Sequence, residues 1–355
     1  MGNLSNVLEN ITGPIRVIFE PTINCNLRCP MCDRTHKDDY NKHKTEQLTT
    51  ELSIDFLESL GVMGTRHILL LGGGEPLMHP DIKQYIEILK KHEISIHLWT
   101  NGTLINESNA DFLAKYCDII TISLDSPHEE INDASRGVPG ITKKILNGFK
   151  LLRNANKELY IRLHSVLSAL NFCHLNDFIP LLKEFSINEI GGGAVNPLPF
   201  VPFTFLISDN QKGEFESNID EFCELVKKEG IALAGCYNQI SKKRIEEIEL
   251  QFSVQEKISP HNTCLALWSQ ASIRPNGDVS VCCFSYKPIL GNLHKMSFPE
   301  IWTSKRATSL RKLVKQGIFL DEPCKGCDLG NPVFTKLLER DGNLDTFNHL
   351  LIDSR

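Results

Sequence analysis

No apolar run in this chain of 355 residues approaches the ~18 that a bilayer-spanning helix needs, so no membrane partner is expected. The opening Met1-Gly2-Asn3-Leu4-Ser5 lacks the charged and apolar regions of a secretory signal. A basic excess is also missing. The 38 Lys and Arg stand against 44 Asp and Glu, and a net charge of −6 argues against nucleic-acid binding. There is no internal repeat and no low-complexity segment. With 41% hydrophobic and 23% charged residues, the composition is that of a globular protein with a real core, not a disordered or collagen-like chain.

Cysteine is abundant, at 12 residues. A chain of this size without an export signal belongs in a reducing compartment, the cytoplasm, where clustered cysteines bind metal or do redox chemistry. Three are packed as Cys25-x3-Cys29-x2-Cys32, and five fall late: Cys264, Cys282, Cys283, Cys324 and Cys327. Cys117, Cys173, Cys223 and Cys236 are dispersed among apolar neighbours and read as small buried hydrophobes.

Between the two groups, strand and helix patterns alternate. Strands are expected at 15–21, 67–71, 95–100, 119–125, 160–167 and 189–192, with helices near 50–60, 81–92, 108–116, 142–154 and 175–185. Strands separated by helices need long crossovers and therefore form a parallel sheet. Six such units predict a partial (β/α)6 TIM-like barrel. Beyond a Gly/Pro-rich stretch, helices are expected at 210–230 and 239–252, with a strand at 231–234 between them. A hairpin follows at 271–274 and 279–282, turning on Pro275-Asn276-Gly277-Asp278. The expected organisation is a barrel over 1–195, a linking segment over 196–260, a small cysteine-bearing domain over 261–335 and a tail over 336–355.

Three thiolates at x3 then x2 on the loop after a strand can converge on one metal centre. A structural zinc site normally takes four protein ligands, and no fourth Cys or His lies at finger-like spacing. A cubane held by three cysteines keeps one iron open. Cys25-x3-Cys29-x2-Cys32, with Met31 before the last cysteine, resembles the signature of radical S-adenosylmethionine (SAM) enzymes. The resemblance implies a 4Fe–4S cluster whose open iron chelates SAM and whose reduced form cleaves SAM to a 5′-deoxyadenosyl radical. It extends to Gly73-Gly74-Glu75-Pro76, similar to the family's GGE motif for the SAM amino group. Asn101, Ser123 and Asp125 fall at positions that contact SAM in similar enzymes, and Arg136 at one that meets the SAM carboxylate. These groups follow the carboxyl ends of strands, where such barrels keep their chemistry.

The late cysteines resemble the twitch subdomain, a short relative of the SPASM domain. That resemblance implies a second, auxiliary 4Fe–4S cluster on Cys264, Cys282, Cys324 and Cys327, complete in its ligands and suited to electron transfer. Cys283 is undecided between an alternative ligand, an inert thiol and a hydrogen-atom donor. Zinc remains the other reading of both groups: a site completed by a remote residue for the first, a zinc ribbon for the second. On that reading the chain is a zinc-stabilised binding protein.

Glu20, His97 and His164, with Arg162, stand on strands where alternation can direct them inward. The first three are candidates for moving a substrate proton. The cysteine spacing is similar to that of the aminocyclitol dehydrogenase of the butirosin pathway. This points to oxidation or rearrangement of a small molecule (a sugar, aminocyclitol or nucleoside), with peptide modification as the alternative. The family implies a flavodoxin or ferredoxin as electron donor.

Overall fold

The computed structural model describes residues 12–36, 47–195, 199–235, 237, 266–282 and 288–315. The late helix expected at 239–252, Cys236, Cys264, Cys283, Cys324 and Cys327 lie outside them.

The elements in chain order are β1 (Arg16–Phe19), α1 (Thr50–Val62), β2 (His67–Leu70), α2 (Ile82–Lys91), β3 (Ser95–Thr100), α3 (Ala110–Tyr116), β4 (Ile119–Ser123), α4 (Glu129–Arg136), α5 (Ile141–Ala155), β5 (Tyr160–Leu167), α6 (Phe178–Glu184), β6 (Glu189–Ala194), α7 (Lys212–Lys228), β7 (Ala232–Gly235), β8 (Gln270–Ile273), β9 (Asp278–Ser280), β10 (Gly291–Asn292), α8 (Phe298–Thr303) and α9 (Lys305–Lys315). Short helical segments also occupy Asp33–His36, Pro76–Met78, Phe172–Asp177 (kinked at His174), Phe203–Phe205, Asp209–Gln211 and Ala266–Ser269. No described helix is long and apolar enough to cross a membrane.

The chain packs as two units. The first comprises residues 1–24, 42–97 and 257–353. In it β1 runs parallel to β2, with Arg16 opposite His67, and parallel to β8, with Arg16 opposite Gln270. The expected hairpin is present, β8 pairing antiparallel with β9, but its first strand is also built into the sheet beside β1. All four β1 residues are buried, because the strand has a partner on each edge and packing on both faces. An aromatic ladder covers one face: the rings of Phe19 and Phe56 lie 5.3 Å apart, and Phe56 and Phe298 5.1 Å. The Thr49 hydroxyl accepts from the Leu52 N–H and starts α1.

The second unit comprises residues 25–41, 98–256 and the last two. Here β4, β5, β6 and β7 are parallel neighbours, with Ile119 opposite Tyr160, Arg162 opposite Glu189, and Glu189 opposite Ala232. Parallel pairing therefore continues past β6, the last of the six expected strands, to β7. In β4 the apolar face of Ile120 and Ile122 is buried, and so is the polar face of Thr121 and Ser123. Sequence patterning missed α4. Its buried residues are Asn132, Ser135 and Arg136, a polar face that leaves no apolar stripe to detect. Cys117 and Cys223 are buried as expected. Cys173, expected to be buried with them, is exposed, because the Phe172–Asp177 turn buries Phe172 and Leu175 and leaves Cys173 facing outward. Its thiol donates to Glu214 Oε1 at 3.6 Å.

Candidate active site

In the second unit the loop 25–32 closes on itself before any partner is considered. Cys25 Sγ accepts the Leu27 N–H at 3.4 Å, the Cys32 N–H donates to the Cys29 carbonyl at 3.1 Å, and the Arg34 guanidinium donates to the Leu27 carbonyl. The Arg28 N–H donates to the Arg136 carbonyl at 3.3 Å. Gly137, in the left-handed conformation at φ 70° that ends α4, lies so close that a Cβ there would sit 2.1 Å from the Arg28 carbonyl oxygen. The end of α4 is thus a shelf for the cysteine loop.

Asn101, just past β3, donates through Nδ2 to Asn26 Oδ1 at 2.9 Å and lies 3.9 Å from Cys25 Sγ. Its Oδ1 accepts the Thr103 N–H, and the Thr103 hydroxyl accepts from Asn26 at 2.8 Å. Arg136 donates from Nη2 to Asp125 Oδ1 at 2.6 Å, and its charge acts on the Cys29 thiol. Asp125 Oδ1 takes the Val166 N–H as well, at 2.8 Å, and Asn132 Oδ1 accepts the Asp125 N–H at 2.9 Å. Asn171 donates to the Asp125 carbonyl at 2.7 Å. Asp125 Oδ2 and Arg136 Nε are buried with no hydrogen-bond partner among the described residues. Burial pushes the Asp125 carboxyl up, while Arg136 pulls it back down. Burial works against the charge on the Arg136 guanidinium, and Asp125 outweighs it and keeps the group charged. Sequence reasoning missed Asn26, Asn132 and Asn171, whose only signal was a polar side chain in a segment next to a strand end.

The Cys29 thiol is pushed up to about 11, chiefly by burial; Arg136 acts in the opposite sense, and negative charge on Asp125, Cys32 and Cys25 adds to the rise. Cys25, Cys29 and Cys32 are all free of disulfides. A buried thiol of this kind becomes a thiolate when bound cations replace its proton. Three free thiols on one loop, with an arginine and an amide beside their sulfurs, fit a cationic iron cluster.

Met31 is in the same loop and half-buried. Ser123, the last residue of β4, is buried. His164 on β5 meets Trp99 edge-on, with ring centroids 4.8 Å apart. Burial, with the charges of Arg136 and Arg162, pushes its imidazole down to about 3, so it is neutral at physiological pH. Arg162 is taken up by Glu189 in a buried pair at 2.7 Å, one register step across the sheet.

In the first unit the glycine run is held from both sides. The buried Glu20 accepts the Gly73 N–H through Oε2 at 3.0 Å. The Glu75 N–H donates to the Asn24 carbonyl at 2.7 Å, and Glu75 Oε1 caps the next turn through the Leu77 N–H at 3.1 Å. A Cβ on Gly74 would lie 2.2 Å from the Asn24 carbonyl oxygen, so this approach of two backbones requires glycine. His97, on β3, is half-buried. Cys282 follows β9, is half-buried and carries no disulfide.

Two family profiles match the chain: the Radical SAM superfamily over residues 19–182, and the SPASM iron–sulfur cluster-binding domain over residues 264–328. The chain carries a radical SAM domain followed by a SPASM domain. Its fold is the partial TIM-like barrel of that superfamily with a carboxyl-terminal SPASM domain. Radical SAM domains bind a 4Fe–4S cluster and SAM, SPASM domains bind auxiliary iron–sulfur clusters, and this chain has both. It is 27% identical over 310 residues to the AdoMet-dependent heme synthase of Methanosarcina barkeri, covering 84% of each chain. To the antilisterial bacteriocin subtilosin biosynthesis protein AlbA of Bacillus subtilis it is 25% identical over 308 residues, covering 82% of this chain and 60% of that protein. Among solved structures, Streptococcus suis SuiB bound to its precursor peptide SuiA superposes with a TM-score of 0.66 at 16% identity, covering 92% of this chain and 73% of that one. This last likeness is one of fold.

Proposed function

We propose that this radical SAM enzyme oxidises or rearranges a small molecule, with the auxiliary cluster as electron conduit. The supporting observation is the extent of the likenesses: the heme synthase is matched over 84% of its length, the bacteriocin enzyme over 60%. When bound, the reduced cluster supplies the electron that cleaves SAM to a hydrogen-abstracting 5′-deoxyadenosyl radical.

The chain's own residues supply the rest. Cys25, Cys29 and Cys32 hold the SAM cluster, and Met31, Gly73, Gly74, Glu75, Asn101, Ser123, Asp125 and Arg136 bind SAM. Arg136 also orients the cysteine loop through its bond to Asp125 and through its carbonyl, which accepts the Arg28 N–H. Cys264, Cys282, Cys324 and Cys327 hold the auxiliary cluster. Glu20, His97 and His164 are the candidates for proton transfer; Glu20 accepts the Gly73 N–H and the His164 imidazole is neutral. The reading includes cytoplasmic location, a flavodoxin or ferredoxin donor, and the organisation 1–195, 196–260, 261–335 and 336–355.

The alternative, a peptide substrate, is favoured by AlbA and by SuiB with its bound precursor peptide. The deciding experiment is anaerobic turnover with dithionite and SAM, offering in separate reactions a deuterated small molecule and a deuterated candidate peptide. Deuterium in 5′-deoxyadenosine from the small molecule supports the first reading. Label from the peptide alone replaces it with the second.

A further inference from the structure

Away from the cysteines, the second unit holds another group of ligating side chains. His128 is the cap residue of α4, and His174 and Asp177 sit on the Phe172–Asp177 turn. These two segments follow β4 and β5, neighbouring parallel strands, so their loops emerge side by side. His128 Nε2 is 2.7 Å and His174 Nδ1 3.4 Å from the same oxygen, Asp177 Oδ2. The two imidazoles stand at 71° with centroids 5.1 Å apart, so their nitrogens converge on that oxygen from two directions. All three ligand atoms lie within 4.8 Å of one another. Tetrahedral zinc, with bonds of about 2.0–2.2 Å to nitrogen and oxygen, separates its ligand atoms by about 3.3 Å. The His174–Asp177 spacing already meets that value, and the His128–Asp177 pair has only to open slightly.

Both imidazoles also line a cleft of about 1090 Å³ that runs along α4 to Gly137 and Gly140. We propose that His128, His174 and Asp177 bind one divalent transition ion of the zinc class, with its remaining coordination position open to this cleft. Two imidazole nitrogens and one carboxylate oxygen suit zinc, cobalt or nickel, and do not suit calcium or magnesium, which take oxygen sets. Three protein ligands leave the fourth tetrahedral position for water or for a donor atom of a bound molecule. Glu129, Glu130 and Asp133 line the same cleft, with Glu129 paired to Lys143 at 3.1 Å and Asp133 accepting the Thr142 N–H at 3.1 Å, and Ile131, Ala134 and Val138 add apolar surface.

This metal site does not depend on which substrate the enzyme takes, and it is tested by metal binding instead of turnover. The iron-loaded, desalted protein is titrated anaerobically with ZnCl2 by calorimetry, beside His174→Gln and Asp177→Asn. One equivalent is expected to bind the wild type. Each substitution is expected to weaken it by about 100-fold or more, since even indirect partners of metal ligands cost 10–100-fold, while iron content is unchanged. Zinc X-ray absorption on the one-equivalent complex should show a nitrogen and oxygen shell. A sulfur shell, equal affinity in the variants, or no zinc uptake by the wild type would overturn the proposal.

Discussion

At Arg136 a single residue links two parts of the second unit: its guanidinium holds the carboxylate after β4, and its carbonyl accepts the Arg28 N–H of the cysteine loop. Gly137 completes that junction. Alanine there is forced into a left-handed backbone, about 1–2 kcal/mol from sterics alone, and its methyl group displaces the Arg28 carbonyl. Gly137→Ala is therefore expected to lower the melting temperature and to leave the chain short of iron after anaerobic reconstitution. Unchanged iron content would separate the shelf from the cysteine loop. His164 supports a pH prediction. Its folded pKa of about 3 lies below the ordinary 6.5, so its contribution to stability is complete above pH 6.5 and is lost as pH falls toward 3. The melting-temperature advantage of wild type over His164→Gln should shrink between pH 7.5 and 5; parallel curves would refute the neutral imidazole.

At the scale of elements, α4 shows what periodicity does not detect. Its buried face works through hydrogen bonds: Asn132 accepts the Asp125 N–H and donates to the Thr142 hydroxyl at 2.8 Å. Replacing it with leucine leaves a buried donor and acceptor unpaired, at about 1–3 kcal/mol each. Asn132→Leu should lower the urea midpoint by a corresponding amount, even though the helix gains an apolar residue. The capping Thr49 is milder: Thr49→Ala should cost about 1 kcal/mol in the same measurement and leave iron content alone. Helices with an apolar stripe were legible in the sequence. Thus α2 was marked by Ile82, Tyr85, Ile86 and Leu89, all of which are buried.

At the scale of the molecule, two cysteine groups more than 200 residues apart make the metal inventory separable. Replacing Cys25, Cys29 and Cys32 with alanine should remove roughly half of about eight irons and abolish 5′-deoxyadenosine release. Cys324→Ala should spare that release and stop product formation. Product at the normal rate in the second variant would end the electron-conduit role.

Sequence alone determined the chemistry. Metal ligands must be particular residue types at close spacing, so Cys25-x3-Cys29-x2-Cys32 and the glycine run were readable in one dimension, as was the strand–helix alternation. Tertiary structure alone decided what joins distant segments: β8 against β1, Asp125 beneath Arg136, Glu20 on the Gly73 N–H, and two histidines from different loops on one carboxylate. Such pairings depend on sheet register and on buried polar groups finding partners far along the chain, and neither leaves a period in the sequence.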